Sequence, residues 1–312
     1  MNLAPFVSCA ALLAGCQATP KATPVPVRTA QTDVWRGDGT AASWDEMMAD
    51  LVGADAVFLG EEHDDGAGHA LQREIVEALL ASWGGGALSL EMLERDEQDE
   101  VDLWMAGELT TAQLRDQTGS SGWCGPGSWD AWYQPILDAA IANGGVVVAA
   151  NCPREHVRTA LSEGYESLPG FDDPRRSEFD LPGYEHDDYR QSLRELMIGT
   201  RLGLAEDGDL VLVDAEEVDR VLRGQLVWDA TMSRSAAGAR GQGKVVHLAG
   251  HFHIDRHGGT VAEFRRLRPN DMVRTVTVRQ DPGFVPGDDE IGAADWIVGS
   301  ASAAASHPST SR

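Results

Sequence analysis

The sequence predicts an α/β fold in which helices flank a central, mainly parallel sheet, with an additional helical excursion in the middle of the chain. Apolar runs bounded by glycine, such as Ala56–Leu59 and Ala87–Leu90, indicate buried strands. The segment between them, Ala67–Trp83, has apolar residues at helical spacing. Strand, helix and strand at this distance form a βαβ unit, which pairs its strands in parallel.

The amino-terminal half of the predicted domain follows this alternation. A short helix over Asp45–Leu51 precedes the first strand, and Gly84-Gly85-Gly86 ends the helix that follows it. One or two helices are expected over Asp96–Leu114. Trp129–Asn143 carries a continuous apolar stripe, so this helix is expected to pack on the sheet, and the third strand, Val146–Ala150, comes next.

The carboxyl-terminal half is less regular. Residues 165–183 are rich in proline, glycine and charge, which predicts an irregular excursion. The elements predicted after it are, in order, helices over Tyr189–Leu204 and Glu216–Ala237, a strand over Val245–Ala249, a helix ending at Leu267 and an edge strand over Met272–Val278.

The amino terminus is predicted to lie outside the folded domain. Residues 1–15 carry no charge, are mostly apolar and run into Leu13-Ala14-Gly15-Cys16, which resembles the lipobox of bacterial lipoproteins. That resemblance implies cleavage of a signal peptide before Cys16 and lipidation of this cysteine. Gln17 after the cysteine implies, by the same resemblance, a place at the outer membrane facing the periplasm.

The composition of the remaining chain sets the domain boundaries. Residues 16–34 are rich in proline, threonine and alanine, which is typical of a flexible linker. We place the folded domain at residues 35–298. Residues 299–312 are dominated by serine and alanine without a packing pattern, which predicts a disordered tail.

Charge and cysteine content limit the partners and the covalent chemistry. The 312-residue chain has a net charge of −25 at pH 7, so it repels phosphate backbones, and nucleic acid is excluded as a partner. Charge alone would not hold it on anionic lipid either. Cys124 and Cys152 remain in the domain, where they either form a disulfide in an oxidising compartment or stay as buried free thiols.

Polar side chains follow four of the predicted strands at their carboxyl ends. The carboxyl ends of parallel strands meet at one edge of a sheet, where ligands bind in open α/β folds. We therefore expect one polar crevice there. The groups in strand order are Glu61, Glu62 and His63; Glu91; Asn151 and Arg154; and His251, His253 and Asp255.

These groups suit more than one chemistry. A divalent metal held by His63, His253 and Glu62 would activate water for hydrolysis. Without a metal, His63 beside Glu62 or Glu91 would serve as a general base, so the candidate catalytic residues are Glu62, His63, Glu91 and His253. Alternatively the crevice holds a planar cofactor such as haem, whose candidate contacts are Tyr133, Asn151, Arg154 and His251.

Several motifs together resemble the ChaN-like haem-binding uptake proteins, which are related to the Tiki/TraB group and to erythromycin esterases. The resemblance covers about residues 50–265. The motifs that carry it are Phe58-Leu59-Gly60-Glu61-Glu62-His63-Asp64-Asp65 with His69 and Gln72, Leu88-Ser89-Leu90-Glu91-Met92-Leu93-Glu94-Arg95 with Gln98, Trp132-Tyr133 with Pro135, Ala150-Asn151-Cys152-Pro153-Arg154, Gln225 with Asp229 and Thr231-Met232, and Leu248-Ala249-Gly250-His251-Phe252-His253.

The resemblance implies an α/β lipoprotein of the cell envelope that takes part in haem or iron uptake. It also implies haem binding by a homodimer, with a tyrosine ligand for which Tyr133 is the candidate. The wider group includes proposed metal-dependent proteases with paired Gly-x-x-His motifs, and His63 and His253 occupy those positions here. The acidic loop after the first strand favours a metal over the anionic propionates of haem.

Overall fold

The computed structural model describes residues 33–183, 187–204, 214–280 and 284–300. Its strands are β1 (Val34–Arg36), β2 (Ala41–Ala42), β3 (Ala56–Glu61), β4 (Gly86–Glu94), β5 (Gly145–Asn151), β6 (Val245–Gly250), β7 (Val273–Arg279) and β8 (Trp296–Gly299). Its helices are α1 (Trp44–Gly53), α2 (Gly66–Trp83), α3 (Gln98–Met105), α4 (Thr111–Gln117), α5 (Gln134–Ala142), α6 (Arg154–Glu163), α7 (Asp187–Leu204), α8 (Ala215–Arg240) and α9 (Gly259–Leu267).

The eight strands form one sheet in the order β2-β1-β8-β7-β3-β6-β4-β5. The six strands from β8 to β5 pair in parallel, whereas β1 pairs antiparallel with β2 and β8. The predicted α/β class with a mainly parallel sheet is therefore confirmed. Short 3-10 turns over Tyr165–Ser167 and Pro174–Glu178, followed by α7, form the predicted excursion.

The prediction that Met272–Val278 is an edge strand is wrong. β7 lies inside the sheet, because β8 pairs with its outer side, with Val276 opposite Trp296. The signal for β8 was weak, since this strand has four residues and follows a segment rich in glycine and acidic residues. Strand order depends on pairing between distant segments, which local patterns do not encode.

Helices cover both faces of the sheet, and alternate residues of each strand supply the two cores. On one face Leu59 and Leu248 pack in a cluster with residues of α2 and α5, including Leu79. On the other face Phe58 packs in a second cluster with residues of α8 and α9, including Phe264. Residues past the strand ends can therefore receive partners from either helical layer.

The predicted segments outside the sheet are described only in part. Residues 1–32, which include Cys16, the lipobox motif and nearly all of the predicted linker, lie outside the described residues, and so do residues 301–312 of the predicted tail. Val34 begins β1, and Ser300 is buried. Within the described ranges, no helix has the length and apolar character that a membrane span requires.

Candidate functional site

The polar residues predicted to meet at the carboxyl edge of the sheet lie on four adjacent strands. β3, β6, β4 and β5 are neighbours, and Glu61 at the end of β3 lies opposite Gly250 at the end of β6. The pairing of β4 with β5 changes register between Leu90 and Glu94. Glu91 lies in this irregular stretch, and its side chain reaches the end of β6. The Oε2 atom of Glu91 accepts a hydrogen bond of 2.6 Å from the Gly250 N–H.

Glu61 is buried at the centre of the first half of the site. Its Oε1 accepts hydrogen bonds of 2.8 Å from the Tyr133 hydroxyl and from Nδ1 of His63, and its Oε2 accepts one of 3.0 Å from Gln72. Burial alone would raise the pKa of Glu61, but the hydrogen bond from His63 and the nearby charges of His69 and His63 hold this pKa below its usual value. Glu61 is thus a carboxylate that fixes the tautomer of His63.

His69 joins α2 to this network. Its Nδ1 lies 2.9 Å from Oε1 of Gln72, and its Nε2 lies 3.1 Å from the carbonyl oxygen of His63. Trp132 stacks on the ring at 5.1 Å. The loop that carries His63 is therefore held through both its side chain and its backbone.

His253 is at the centre of the second half of the site. Its Nδ1 lies 2.8 Å from Oδ1 of Asp229 in α8, and the same oxygen accepts a 2.8 Å hydrogen bond from Thr260 in α9. Gly259 has a φ of +47°, and a Cβ there would lie 2.8 Å from Oδ1 of Asp229. Burial lowers the pKa of His253, but the charges of Asp229 and Glu91 outweigh it and raise the pKa to about 9.

His63, Glu91 and His253 together line what we call the polar crevice. His253 Nε2 lies 3.8 Å from Oε1 of Glu91. A Cβ added to Gly250 would lie 3.1 Å from Nε2 of His63 and 3.6 Å from Oε2 of Glu91, so these two groups face the same point. Burial lowers the pKa of His63, but its bond to Glu61 and the charge of Glu91 give a net increase. Two imidazoles, each held at Nδ1 by a buried carboxylate, thus flank one glutamate.

A partly exposed row of side chains lies beside the polar crevice, and we call it the mouth. It consists of His63, Trp123 and Arg154. The side chain of His63 is 41% exposed, and the Trp123 ring contacts its ring at 5.4 Å with an interplanar angle of 62°. The guanidinium of Arg154, whose side chain is 57% exposed, lies 5.3 Å from the Trp123 ring centroid and pairs with Glu94 at 3.3 Å.

The other predicted site residues have separate partners. Glu62 is half-buried, and its Oε1 accepts a long hydrogen bond of 3.5 Å from the N–H of Gln280 beyond β7. Asn151 is buried, and its Oδ1 accepts the N–H of Cys152 at 2.9 Å. His251 pairs with Asp255 at 2.9 Å.

Tyr133 is fully buried, and Glu61 takes its hydroxyl hydrogen. Burial, reinforced by the charge of Glu61, raises the pKa of Tyr133 far above its ordinary value. The helix α2 is capped by Asp65, which accepts the Ala67 N–H at 3.0 Å. The two cysteines are free thiols, with Cys124 exposed and Cys152 buried.

Sequence reasoning did not assign Asp229, Thr260 or Trp123 to the site. Asp229 is fully buried and lies in Val227-Trp228-Asp229-Ala230, on the packed side of a long helix. A carboxylate among apolar residues on a helix is a signal that could have found it, because such a group requires a partner. Thr260 and Trp123 carried no comparable signal.

The crevice has suitable metal ligands, although not in a closed arrangement. Two imidazoles and a glutamate form the ligand set of many catalytic zinc sites. The ligand atoms of His63, Glu91 and His253 do not all lie within 4.8 Å of one another, so metal binding would require side-chain movement. Among the described residues, Glu155, His156 and Glu178 do bring one ligand atom each within 4.8 Å of the other two.

Comparison with known proteins gives a family match and a structural match. The family model described as haem-binding uptake, Tiki superfamily, ChaN matches residues 47–264. A structure of ChaN of Campylobacter jejuni, described as showing cofacial haem binding, is similar at 18% identity and a TM-score of 0.66. The match covers 88% of this chain and 98% of that chain. At this identity the likeness concerns the fold.

The other structural match is weaker. The structure of the type III effector HopBA1 has 13% identity and a TM-score of 0.44, and the match covers 80% of this chain and 90% of that chain, which is too distant to support an argument. A search of curated proteins found no match.

Proposed function

The chain belongs to the haem-binding uptake family of the Tiki superfamily that includes ChaN, and from this premise we propose that it binds haem at the mouth, with His63 as the iron ligand. The observation that carries the proposal is the partly exposed row of an imidazole, an indole and a guanidinium beside the crevice. Haem would supply an iron centre and a flat apolar ring, and the protein would supply the axial ligand, the apolar contact and a cation for the propionates.

The side chains of the mouth fit these requirements. Nε2 of His63 has no hydrogen-bond partner among the described residues, while Nδ1 is held by Glu61. A hydrogen bond at Nδ1 orients an imidazole and makes its other nitrogen a better ligand. Trp123 provides an aromatic surface, and Arg154 is exposed enough to reach a carboxylate.

Tyr133 is the weaker candidate for the iron ligand. A tyrosine binds iron as phenolate, but burial and Glu61 disfavour loss of its proton. To reach a haem at the mouth, Tyr133 would have to leave Glu61 and the core around α5. We propose instead that Tyr133 positions His63 through the shared carboxylate of Glu61.

The acidic loop after β3 should repel haem propionates less than the four carboxylates in its sequence indicated. Glu61 and Asp65 are both buried, the first within the hydrogen bonds of His63, Tyr133 and Gln72, the second as the cap of α2. Glu62 is half-buried and Asp64 is exposed. Two of the four carboxylates are therefore turned away from the mouth.

A haem titration of the purified protein tests the proposal. We expect a saturable Soret shift, and we expect His63→Ala to weaken binding at least about tenfold, which corresponds to ~1.4 kcal/mol. His257→Ala is the matched control, because it removes an imidazole that belongs to none of the candidate sites and contacts Asp295. Loss of the Soret shift in Tyr133→Phe, with binding by His63→Ala unchanged, would instead assign the iron ligand to Tyr133.

We also propose that the protein is a lipid-anchored member of the cell envelope, at the outer membrane, that takes part in haem or iron uptake as a homodimer. The lipobox-like motif and the family support this proposal. Cys16→Ser should move the protein from the membrane fraction to the soluble fraction, whereas Cys9→Ser should not. Equal partitioning of both variants would contradict lipidation. A change of mass from monomer to dimer on haem addition, measured by light scattering, tests the assembly.

A second function is favoured by one specific observation. His63 and His253, each bound at Nδ1 to a buried carboxylate, flank Glu91. These residues would hold a divalent metal such as zinc, which activates water for hydrolysis of a peptide or an ester when bound. His253→Ala should then lower the metal content of the protein by one equivalent, with haem binding retained. Full metal retention in that variant would reject this function.

A further inference from the structure

A cluster outside the polar crevice and the mouth has its own ligand set. Glu155 and His156 lie in the first turn of α6, and Glu178 ends the 3-10 turn that begins at Pro174. Nε2 of His156 lies 2.7 Å from a carboxylate oxygen of Glu178 and 3.9 Å from one of Glu155. One ligand atom from each of the three residues lies within 4.8 Å of the other two.

Packing fixes the orientation of the His156 imidazole in this cluster. The side chain of His156 is 3% exposed, and its ring packs against the buried Phe179 at 4.9 Å. Phe179 follows Glu178 directly, so the packing that orients the imidazole also positions the carboxylate. The face of the His156 ring packs against Phe179, and Nε2 at its edge points toward the carboxylates of Glu178 and Glu155. A preformed imidazole with two oxygen donors is a ligand set that suits zinc and similar divalent metals.

The charge around the cluster is negative. Burial raises the pKa of the Asp96 carboxyl group, and the nearby charges of Glu178 and Glu155 raise it further. The cation beside them is Arg175, which makes a 2.9 Å contact with Asp173 and only a 3.8 Å contact with Glu155. A divalent cation would relieve the repulsion among these carboxylates more completely than the distant guanidinium does.

We propose that Glu155, His156 and Glu178 form a divalent-metal site of the zinc type that is separate from the polar crevice. The metal would join α6 to the 174–178 turn and so fix one wall beside the mouth, since Glu155 follows Arg154 directly. The site does not depend on the proposed haem function, because it shares none of the residues of the mouth or the crevice.

Zinc titration in a variant without the crevice imidazoles tests this site. In His63→Ala/His253→Ala protein we expect about one equivalent of Zn²⁺ by calorimetry and an increase in the melting temperature on zinc addition. Adding Glu178→Gln should weaken zinc binding at least about tenfold, as loss of a metal ligand does. Glu163→Gln, at the other end of α6, is the control and should leave binding unchanged.

His156→Gln gives a second measurement. It should abolish the zinc-dependent increase in melting temperature, and the protein's far-ultraviolet circular dichroism without metal shows whether it folds. If Glu178→Gln and Glu163→Gln bind zinc equally, the contact of His156 with Glu178 is only an ion pair and the site is rejected. Absence of zinc binding in the variant without the crevice imidazoles would also reject it.

Discussion

At the scale of single residues, buried carboxylates set the properties of the two imidazoles. Asp229, in α8, accepts a hydrogen bond from His253. Glu61, at the end of β3, binds His63 on the face of the sheet that α2 and α5 cover. Each carboxylate is itself buried, so its charge acts in a medium of low dielectric and raises the pKa of its partner. The histidines are thus ordered before any ligand binds.

The raised pKa of His253 predicts a loss of stability at alkaline pH. The pKa is about 9 in the folded protein and about 6.5 when unfolded, so the stabilisation is complete below pH 6.5 and is lost as pH rises through 9. The loss is on the order of 3 kcal/mol. Urea unfolding from pH 6 to pH 10 measures it. Asp229→Asn should be less stable at pH 6 and should flatten the profile; an unchanged profile would contradict the assignment.

Gly250 is predicted to be required for the approach of His63 to Glu91. A Cβ in Gly250→Ala would lie 3.1 Å from the His63 ring, so the ring must shift. We expect haem affinity to fall several-fold with a change in unfolding free energy of about 1 kcal/mol or less. Gly53→Ala is the control, because nothing lies within 4 Å of its added Cβ. Equal haem affinities in the two variants would contradict this role.

At the scale of secondary-structure elements, the start of α2 determines the conformation of the loop that carries His63. Asp65 accepts the Ala67 N–H, and His69 in the first turns of the helix contacts the carbonyl oxygen of His63. The loop is therefore a short connection fixed at one end by β3 and at the other by a capped helix. Contacts from α2 therefore fix the conformation of this loop as much as the loop residues themselves do.

The cap of α2 predicts a measurable difference between two neighbouring aspartates. Asp65→Ala should lower the free energy of unfolding by about 1 kcal/mol, because it removes the N-cap hydrogen bond. The exposed Asp64 makes a suitable control, and Asp64→Ala should change stability by less than about 0.5 kcal/mol. Thermal unfolding compares the two variants. Similar melting temperatures would show that the cap does not stabilise α2.

At the scale of the whole molecule, the net charge of −25 acts on any anionic ligand. Haem carries two propionates, so the protein as a whole repels it, although Arg154 attracts it locally. Salt screens the long-range repulsion more than it screens a close contact, since the Debye length is about 10 Å at 0.1 M and about 3 Å at 1 M.

This balance predicts that haem associates faster at high ionic strength. Stopped-flow mixing should show the association rate constant rising at least ~2-fold between 10 mM and 500 mM salt, because the repulsion is screened. Arg154→Ala should associate more slowly at every salt concentration. A rate constant that falls with salt in the unmodified protein would show that Arg154 outweighs the net charge.

The predictions made from the sequence agree with the structure better for the fold than for the site. The polar groups after Leu59, Leu90 and Ala249 were predicted to share one edge, and the parallel pairing of β3, β4 and β6 confirms this geometry. Glu62 or Glu91 was expected beside His63, whereas Nδ1 of His63 pairs with Glu61, and the partner of His253 was not predicted. Asp229 lies 24 residues before His253 and on another element, so no local pattern connects them.

The sequence by itself determined the fold class and the residue types at the strand ends, because apolar periodicity and glycine positions are local properties. Only the tertiary structure decided that Glu61 rather than Glu62 holds His63, that Tyr133 is buried and that β7 lies inside the sheet. These features depend on which face of a strand a side chain occupies and on which distant segments pack there. A shift of one residue reverses that face, and long-range packing selects the register.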